Sequence, residues 1–280
     1  MNSMRIDAHQ HFWQLNQLGR DWPTADLGAI YRDFKPDDLA PLLASAELNG
    51  TVLVQTMERL DETNYMLSLA DQHEFILGVV GWVDMKPAGA SADIDRLSQH
   101  PKLVGIRPML QDMDDSNWID DEALSPAVEA LIRNGKTFDA LARPRQLKAL
   151  YRFASRHSGL PIVIDHAAKP LIADGLYSTW RRDMALLASL PNVHCKLSGM
   201  WTECGAQRPE AIRPYAETVL ELFGPSRVLW GSDWPVLNLA GTYLEWHDYC
   251  REIVPAADHD LIFGVNAARF YSLKTSRANR

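Results

Sequence analysis

Residues 161–168, PIVIDHAA, set a β-branched apolar run directly against two ionisable side chains. Pro161–Asp165 reads as a strand apolar on both faces, which is how strands of a parallel sheet covered on both sides read. Where turn formers normally end such a strand, Asp165 and His166 stand instead. Outward from this stretch the same unit recurs, a short apolar run followed by an amphipathic stretch. The other runs are Met4–Ala8, Thr51–Gln55, Phe75–Val83, Leu103–Met109, Thr137–Ala142, Val193–Leu197 and Arg227–Gly231. Helical patterning is predicted over Pro36–Leu48, Thr63–His73, Ser91–Gln99, Pro126–Asn134, Arg145–His157, Tyr177–Leu190, Pro209–Phe223 and Tyr243–Ile253, with a short closing helix over Asn266–Leu273. Gly50, Gly135, Gly159 and Gly224 fall where helix C-terminal punctuation belongs. Eight strands alternating with eight helices over 280 residues predict an α/β chain folded as a single (β/α)₈ TIM barrel spanning 1–280. An open nucleotide-binding sheet is the competing architecture, and no GxGxxG or GxxxxGK[ST] follows any strand.

Composition narrows the partners. Hydrophobic residues at 46% and charged residues at 23% are ordinary for a globular chain. The 28 basic and 36 acidic side chains, net −8, oppose a nucleic-acid or anionic-membrane surface. Cys195, Cys204 and Cys250 are too few and too scattered for a disulfide framework or a zinc knuckle, and an odd count suits a reducing compartment. The segment MNSMRIDAHQH holds no apolar core of a secretory signal, and no window approaches 18 uninterrupted apolar residues. The expectation is a cytoplasmic protein with a small-molecule partner, monomer or homodimer.

A barrel assembles its site at the C-terminal ends of its strands. There the sequence places His9, His11, Gln55, Trp82, Asp84, Arg107, Arg143, His166, Lys196, Ser198 and Asp233. In DAHQH, period-two alternation puts residues 7, 9 and 11 on one strand face, so His9 and His11 point together into the mouth. Two such imidazoles can bind a divalent metal or hydrogen-bond a carbonyl, although the spacing alone is a weak signal. His166 ends an apolar strand, a place where histidines also serve simply as strand caps. Asp233, in VLWGSDWP, presents a carboxylate before Trp234-Pro235. It can act as a general base or a metal ligand, against the bland reading of a turn aspartate bonded to its own loop. Lys196 shares a strand face with His194 and Ser198, and Arg107 ends another strand. Either cation can hold an oxyanion or carboxylate, or be absorbed in a structural ion pair. Trp13, Trp82, Trp201 and Trp234 follow or end strands and either wall a ring substrate or pack. His73, His100, His157, His247 and His259 map to helices or to the far face. The segment from Phe12 to Lys35 is expected to fold over the mouth.

Taken together, MRIDAHQHFW, DHAAKP, KLSG, LWGSDWP and GVNAARFY resemble the amidohydrolase superfamily, in its amidohydrolase-2 branch. Within that branch they look most like sugar-lactone hydrolases of the L-fuconolactonase and L-rhamnonolactonase type, over essentially the whole chain. The resemblance implies a distorted (β/α)₈ barrel, with Asp233 activating water and His9, His11 and His166 at positions that metal-dependent members use as ligands. No carboxylatable lysine can be placed between the histidine clusters, and Lys196 stands where some relatives offer a histidine. One Zn²⁺ or Mn²⁺, or no required metal, is therefore expected rather than a binuclear centre. The implied reaction opens an aldonolactone to its free acid. Asp233, His166 and Lys196 would be catalytic, and Arg107, Gln55, Trp82, Trp13 and Trp201 would bind substrate. The alternatives are a metal-dependent hydrolase or decarboxylase of a cyclic or aromatic carboxylate, and a non-enzymatic binding barrel, which the intact His9, His11, His166 and Asp233 oppose.

Overall fold

A computed structural model of the chain describes residues 4–205 and 209–274. Its strands are β1 (Ile6–Gln10), β2 (Gly50–Val54), β3 (Ile76–Gly81), β4 (Leu103–Ile106), β5 (Thr137–Ala140), β6 (Ile162–Ile164), β7 (Val193–Leu197) and β8 (Val228–Trp230). Each pairs in parallel with the next, in the order β1 to β8. The ring closes at its rim, where Gln10 bridges Trp234, the His11 N–H donates to the Trp234 carbonyl at 2.8 Å and the Asp233 N–H donates to the His9 carbonyl at 2.8 Å. This is the (β/α)₈ barrel that the alternating pattern predicts. Its helices are α1 (Pro36–Ser45), α2 (Leu60–Gln72), α3 (Ala90–Leu97), α4 (Ser125–Arg133), α5 (Leu147–Arg156), α6 (Tyr177–Ala188), α7 (Arg213–Phe223) and α8 (Tyr243–Ile253). A π-helical turn, Leu261–Val265, then leads into α9 (Asn266–Phe270). None of these helices is long and apolar enough to cross a membrane.

Differences from the expected boundaries have local causes. Helix α1 stops at Ser45 rather than Leu48 because Glu47 takes the left-handed conformation, φ 56°, that terminates helices. Strand β4 ends at Ile106, three residues short of Met109, because Pro108 has no N–H to continue the ladder. Strand β1 lies two residues later than expected, and its register against β2 shifts between Asp7 and Gln10. The shift breaks the alternation on which the common face of residues 7, 9 and 11 depended. Asp7 turns toward α8, its Oδ2 accepting from the Tyr243 hydroxyl at 2.8 Å, while His9 and His11 turn inward.

Two apolar layers hold the barrel. Outside, strand residues such as Leu53, Val79, Phe138, Ile164 and Leu197 pack against the helices. Inside, Ile6, Ala8, Val52, Val54, Val80, Val104, Val163 and Leu229 meet Phe270, Tyr271 and Leu273 of the C-terminal segment. Each such side chain fully removed from water stabilises the fold by about 1.5–3 kcal/mol. The C-terminal segment is thus part of the barrel core.

Candidate active site

The mouth is built from two backbone devices and one imidazole pair. His11 donates from Nδ1 to the Val54 carbonyl at 2.8 Å, which leaves its Nε2 as the nitrogen facing the site. His9 accepts at Nδ1 from Lys196 Nζ at 3.1 Å, and its Nε2 lies 3.2 Å from His11 Nε2. Arg107 Nη1 stands 3.3 Å from His9 Nε2 and Asp165 Oδ1 3.4 Å from His9 Nδ1, so the ring is wedged between two cations and a carboxylate.

The chain leaving β6 enters the left-handed region at four successive non-glycine residues, His166, Ala167, Ala168 and Lys169, with φ of 53°, 50°, 60° and 47°. L-residues adopt this conformation at a cost of about 1–2 kcal/mol each. The turn is held by the Lys169 N–H bonded to the His166 carbonyl at 2.8 Å and by Trp180 Nε1 donating to the Ala167 carbonyl at 2.8 Å. It swings His166 over the barrel, where its Nδ1 meets Ser198 Oγ at 2.9 Å. Gly199 makes room for the ring, since a Cβ there would stand 2.3 Å from His166 Nδ1. Asp233 is also left-handed, φ 60°. Backbone strain concentrated at the two residues that face each other across the mouth marks a site rather than a scaffold.

These devices bring the four expected groups together. Asp233 Oδ1 lies 3.3 Å from His11 Nε2, 3.7 Å from His9 Nε2 and 3.7 Å from His166 Nε2. His9, His166 and Asp233 each place one ligand atom within 4.8 Å of the others. Two imidazole nitrogens and a carboxylate oxygen suit a single zinc or manganese ion. His11 Nε2, 3.3 Å from the same Asp233 oxygen, adds a further nitrogen beside this set. The donor set therefore fits one divalent metal, which binds deprotonated imidazole nitrogen and carboxylate oxygen. Burial, reinforced by the Lys196 charge, holds the His9 pKa well below the histidine norm. Burial pushes His166 down to about 4, against the pull of Asp233 and Asp165. Burial would raise Asp233, but the imidazoles of His166, His11 and His9 overcome it and keep the carboxyl below its ordinary range. Both rings are therefore neutral and Asp233 is ionised at neutral pH.

Beneath this layer lies a sealed ion network. Lys196 Nζ bonds Asp139 Oδ2 at 2.7 Å and Asp165 Oδ1 at 2.9 Å, Arg107 Nη1 bonds Asp165 Oδ2 at 3.1 Å, and the Tyr271 hydroxyl donates to Asp139 Oδ2 at 2.6 Å. Burial would raise Asp165, but Lys196 foremost, with His9 and Arg107, holds it well below the usual carboxylate range. Lys196, expected to stabilise an oxyanion, is instead fully buried under His9 with its donors committed. Two carboxylates close enough to saturate an ammonium outcompete a distant cavity, and spacing along β7 could not reveal them.

The mouth opens into a cavity of about 670 Å³ whose lining includes His11, His166, Asp233 and Arg107. The other expected substrate contacts lie elsewhere. Gln55 is buried and donates to the Arg107 carbonyl at 2.8 Å. Trp13 packs on Trp22 and Phe34 and donates to the Arg32 carbonyl at 2.8 Å. Trp201 packs on Trp246 and Tyr249, and Trp82 sits behind Glu58. Arg143 heads the turn after β5, its N–H bonded to Gln146 Oε1 at 2.9 Å, and Asp84 is exposed beyond β3. In their place the wall uses Asp21 and Trp22 from the segment between Phe12 and Lys35, Glu58 and Arg59 after β2, Asp112 after β4 and Lys169 after His166. Asp21 and Trp22 fall in the segment expected to fold over the mouth, and Lys169 is the cation of DHAAKP three residues beyond the histidine; the others sit in loops without periodicity.

The eight-stranded parallel barrel, with histidines and an aspartate converging at its C-terminal mouth, is an α/β barrel whose nitrogen–oxygen donor set could hold one ion. The chain belongs to the amidohydrolase family, whose description, Amidohydrolase, matches residues 6–273. It is 50% identical over 281 residues to an L-fucono-1,5-lactonase of Burkholderia ambifaria, spanning 97% of this chain and 96% of that protein. It is 36% identical over 291 residues to an L-fucono-1,5-lactonase of Burkholderia multivorans, spanning 98% and 97% respectively. A solved amidohydrolase from Burkholderia multivorans with bound zinc superposes with a TM-score of 0.90 at 36% identity, covering 97% of this chain and all of that one.

Proposed function

We propose that the protein hydrolyses a sugar lactone to the free aldonic acid, with L-fucono-1,5-lactone the first substrate to try. The observation that carries this reading is the ionised Asp233 set within 3.7 Å of three imidazole nitrogens at the floor of an open cavity. The high similarity to two L-fucono-1,5-lactonases supports the substrate class. In this mechanism Asp233 accepts a proton from water as the water oxygen attacks the lactone carbonyl. His11 Nε2 and His166 Nε2, at 3.3 and 3.7 Å from Asp233 Oδ1, orient that water. The Arg107 guanidinium, fixed against Asp165 and lining the cavity, sets a positive charge beside the carbonyl oxygen as that oxygen gains charge. Collapse breaks the ring C–O bond, and the proton held by Asp233 passes to the departing ring oxygen. When bound by His9, His166 and Asp233, a divalent ion supplies Lewis-acid polarisation of the carbonyl. A lactone needs less help than an amide, because an alkoxide leaves more readily than an amine.

The cavity wall suits a polyol. Asp21, Glu58 and Asp112 line it besides Asp233. Burial and then the charge of Asp112 raise the Glu58 pKa, the signature of a wall already rich in negative charge. Carboxylates accept hydrogen bonds from sugar hydroxyls, which supports a polyol substrate. The three cysteines, all free and buried, fit a cytoplasmic enzyme. Acid release from a panel of sugar lactones, followed with a pH indicator, tests the proposal. Asp233→Asn is expected to lower kcat at least about 10²-fold, as removal of a general base does; near-normal turnover by that variant overturns the assignment.

A further inference from the structure

Among the described residues three cations line the cavity, Arg59, Arg107 and Lys169, and they are not equally committed. Arg59 grips both oxygens of Asp61, Nε to Oδ1 at 2.9 Å and Nη2 to Oδ2 at 2.6 Å. Arg107 is held in place by Asp165 at 3.1 Å, the Gln55 carbonyl and His9 Nε2 at 3.3 Å, so its charge acts from a fixed position. Among the described residues Lys169 pairs with the Glu203 carboxylate alone, at 3.6 Å, which is outside hydrogen-bond reach, and both side chains remain partly open, 19% and 17%. Its position is also prescribed. The left-handed turn that aims His166 ends on Lys169, the Lys169 N–H bonds the His166 carbonyl, and both side chains line the cavity. The ammonium is near enough to His166 for its charge to act on the ring. A cation on strained backbone, beside the reacting centre and held by one loose ion pair, has the attributes of a ligand-binding group.

We infer that Lys169 binds the carboxylate released by lactone opening, and the carbonyl oxygen that becomes part of it, with Glu203 as the competing anion that lets the product leave. The inference rests on the hydrolytic reading for its substrate, but its carboxylate partner can be probed without turnover. Ring opening converts a neutral lactone into an anion in the same cavity. A free ammonium there strengthens its contact as charge develops on the carbonyl oxygen, and would then trap the product unless another carboxylate competed. Arg107, already paired with Asp165, cannot swing to serve that role without leaving a buried charge unpaired.

The test uses the full-length protein, the matched lactone and its aldonate product. Lys169→Met keeps the length and unbranched shape of the side chain on the same backbone. It is expected to lower kcat/KM about 10²-fold and to weaken aldonate binding, measured by titration calorimetry, at least tenfold. Lys169→Arg should restore a substantial part of that binding, and Glu203→Gln should tighten it severalfold by removing the competitor. Aldonate affinity unchanged within twofold in Lys169→Met, or loss confined to thermal stability, overturns the inference. Aldonate bound by the wild type and lost in Lys169→Met, with no lactone opened by either, upholds the inference while sinking the hydrolytic reading.

Discussion

Gly199→Ala tests whether the left-handed His166 turn is a positioning device. Gly199 sits at φ +60°, where an L-side chain costs about 1–2 kcal/mol. The new Cβ would also stand 2.3 Å from His166 Nδ1 and 2.5 Å from its Cγ. Restoring an ordinary contact of 3.4 Å moves the imidazole by about 1 Å, enough to break its 2.9 Å bond to Ser198 Oγ and carry Nε2 off Asp233. A displacement of that size at a reacting group costs about 10²-fold in rate. The backbone cost alone lowers Tm by roughly 2–8 °C for a chain of this length. The expected result is therefore a folded protein, slightly less stable, whose kcat on the lactone falls about 10²-fold. Steady-state kinetics and thermal unfolding of the same preparation read both quantities. A variant with the expected Tm loss and turnover within threefold of wild type would refute the claim that Gly199 exists to seat His166.

Two further expectations concern the layer below the site. Lys196→Met leaves Asp139 and Asp165 buried without their ammonium and should destabilise the fold by about 3–5 kcal/mol in urea unfolding; a loss under about 1 kcal/mol would show that the network is not the structural ion pair described above. His194, packed on the Phe270 ring at 4.7 Å, is pushed down to about 4 by burial and then by the Arg227 charge, from an ordinary 6.5. The unfolded chain takes up this proton first as pH falls, so the contribution is fully present above about 6.5 and declines toward 4, with a slope of at most about 1.4 kcal/mol per pH unit. His194→Gln should flatten that part of the stability profile, and superimposable wild-type and variant profiles would rule the group out.

The barrel and its four principal site residues were legible along the chain because their signals are local. Doubly buried strands read as continuous apolar runs, and ionisable residues stand out where such runs stop, as at Asp165-His166 and Ser232-Asp233. The amphipathic helices show for the same reason: α5 buries Leu147, Leu150 and Phe153 at helical spacing. None of this depends on what lies across the barrel.

What lies across it settled the rest. Lys196 and Arg107 look alike at the ends of their strands, yet Lys196 meets two carboxylates from β5 and the end of β6 and is sealed, whereas Arg107 reaches the cavity. The turn of Asp7 away from His9 follows from a register shift against β2, a property of a strand pair that one strand cannot announce. Four left-handed residues in DHAAKP carry no glycine to betray them, because the surrounding packing, not intrinsic preference, pays their cost. Residue type and period are written in the chain; which charge finds a partner, and which is left facing the substrate, is fixed only when distant segments are brought within a few ångströms.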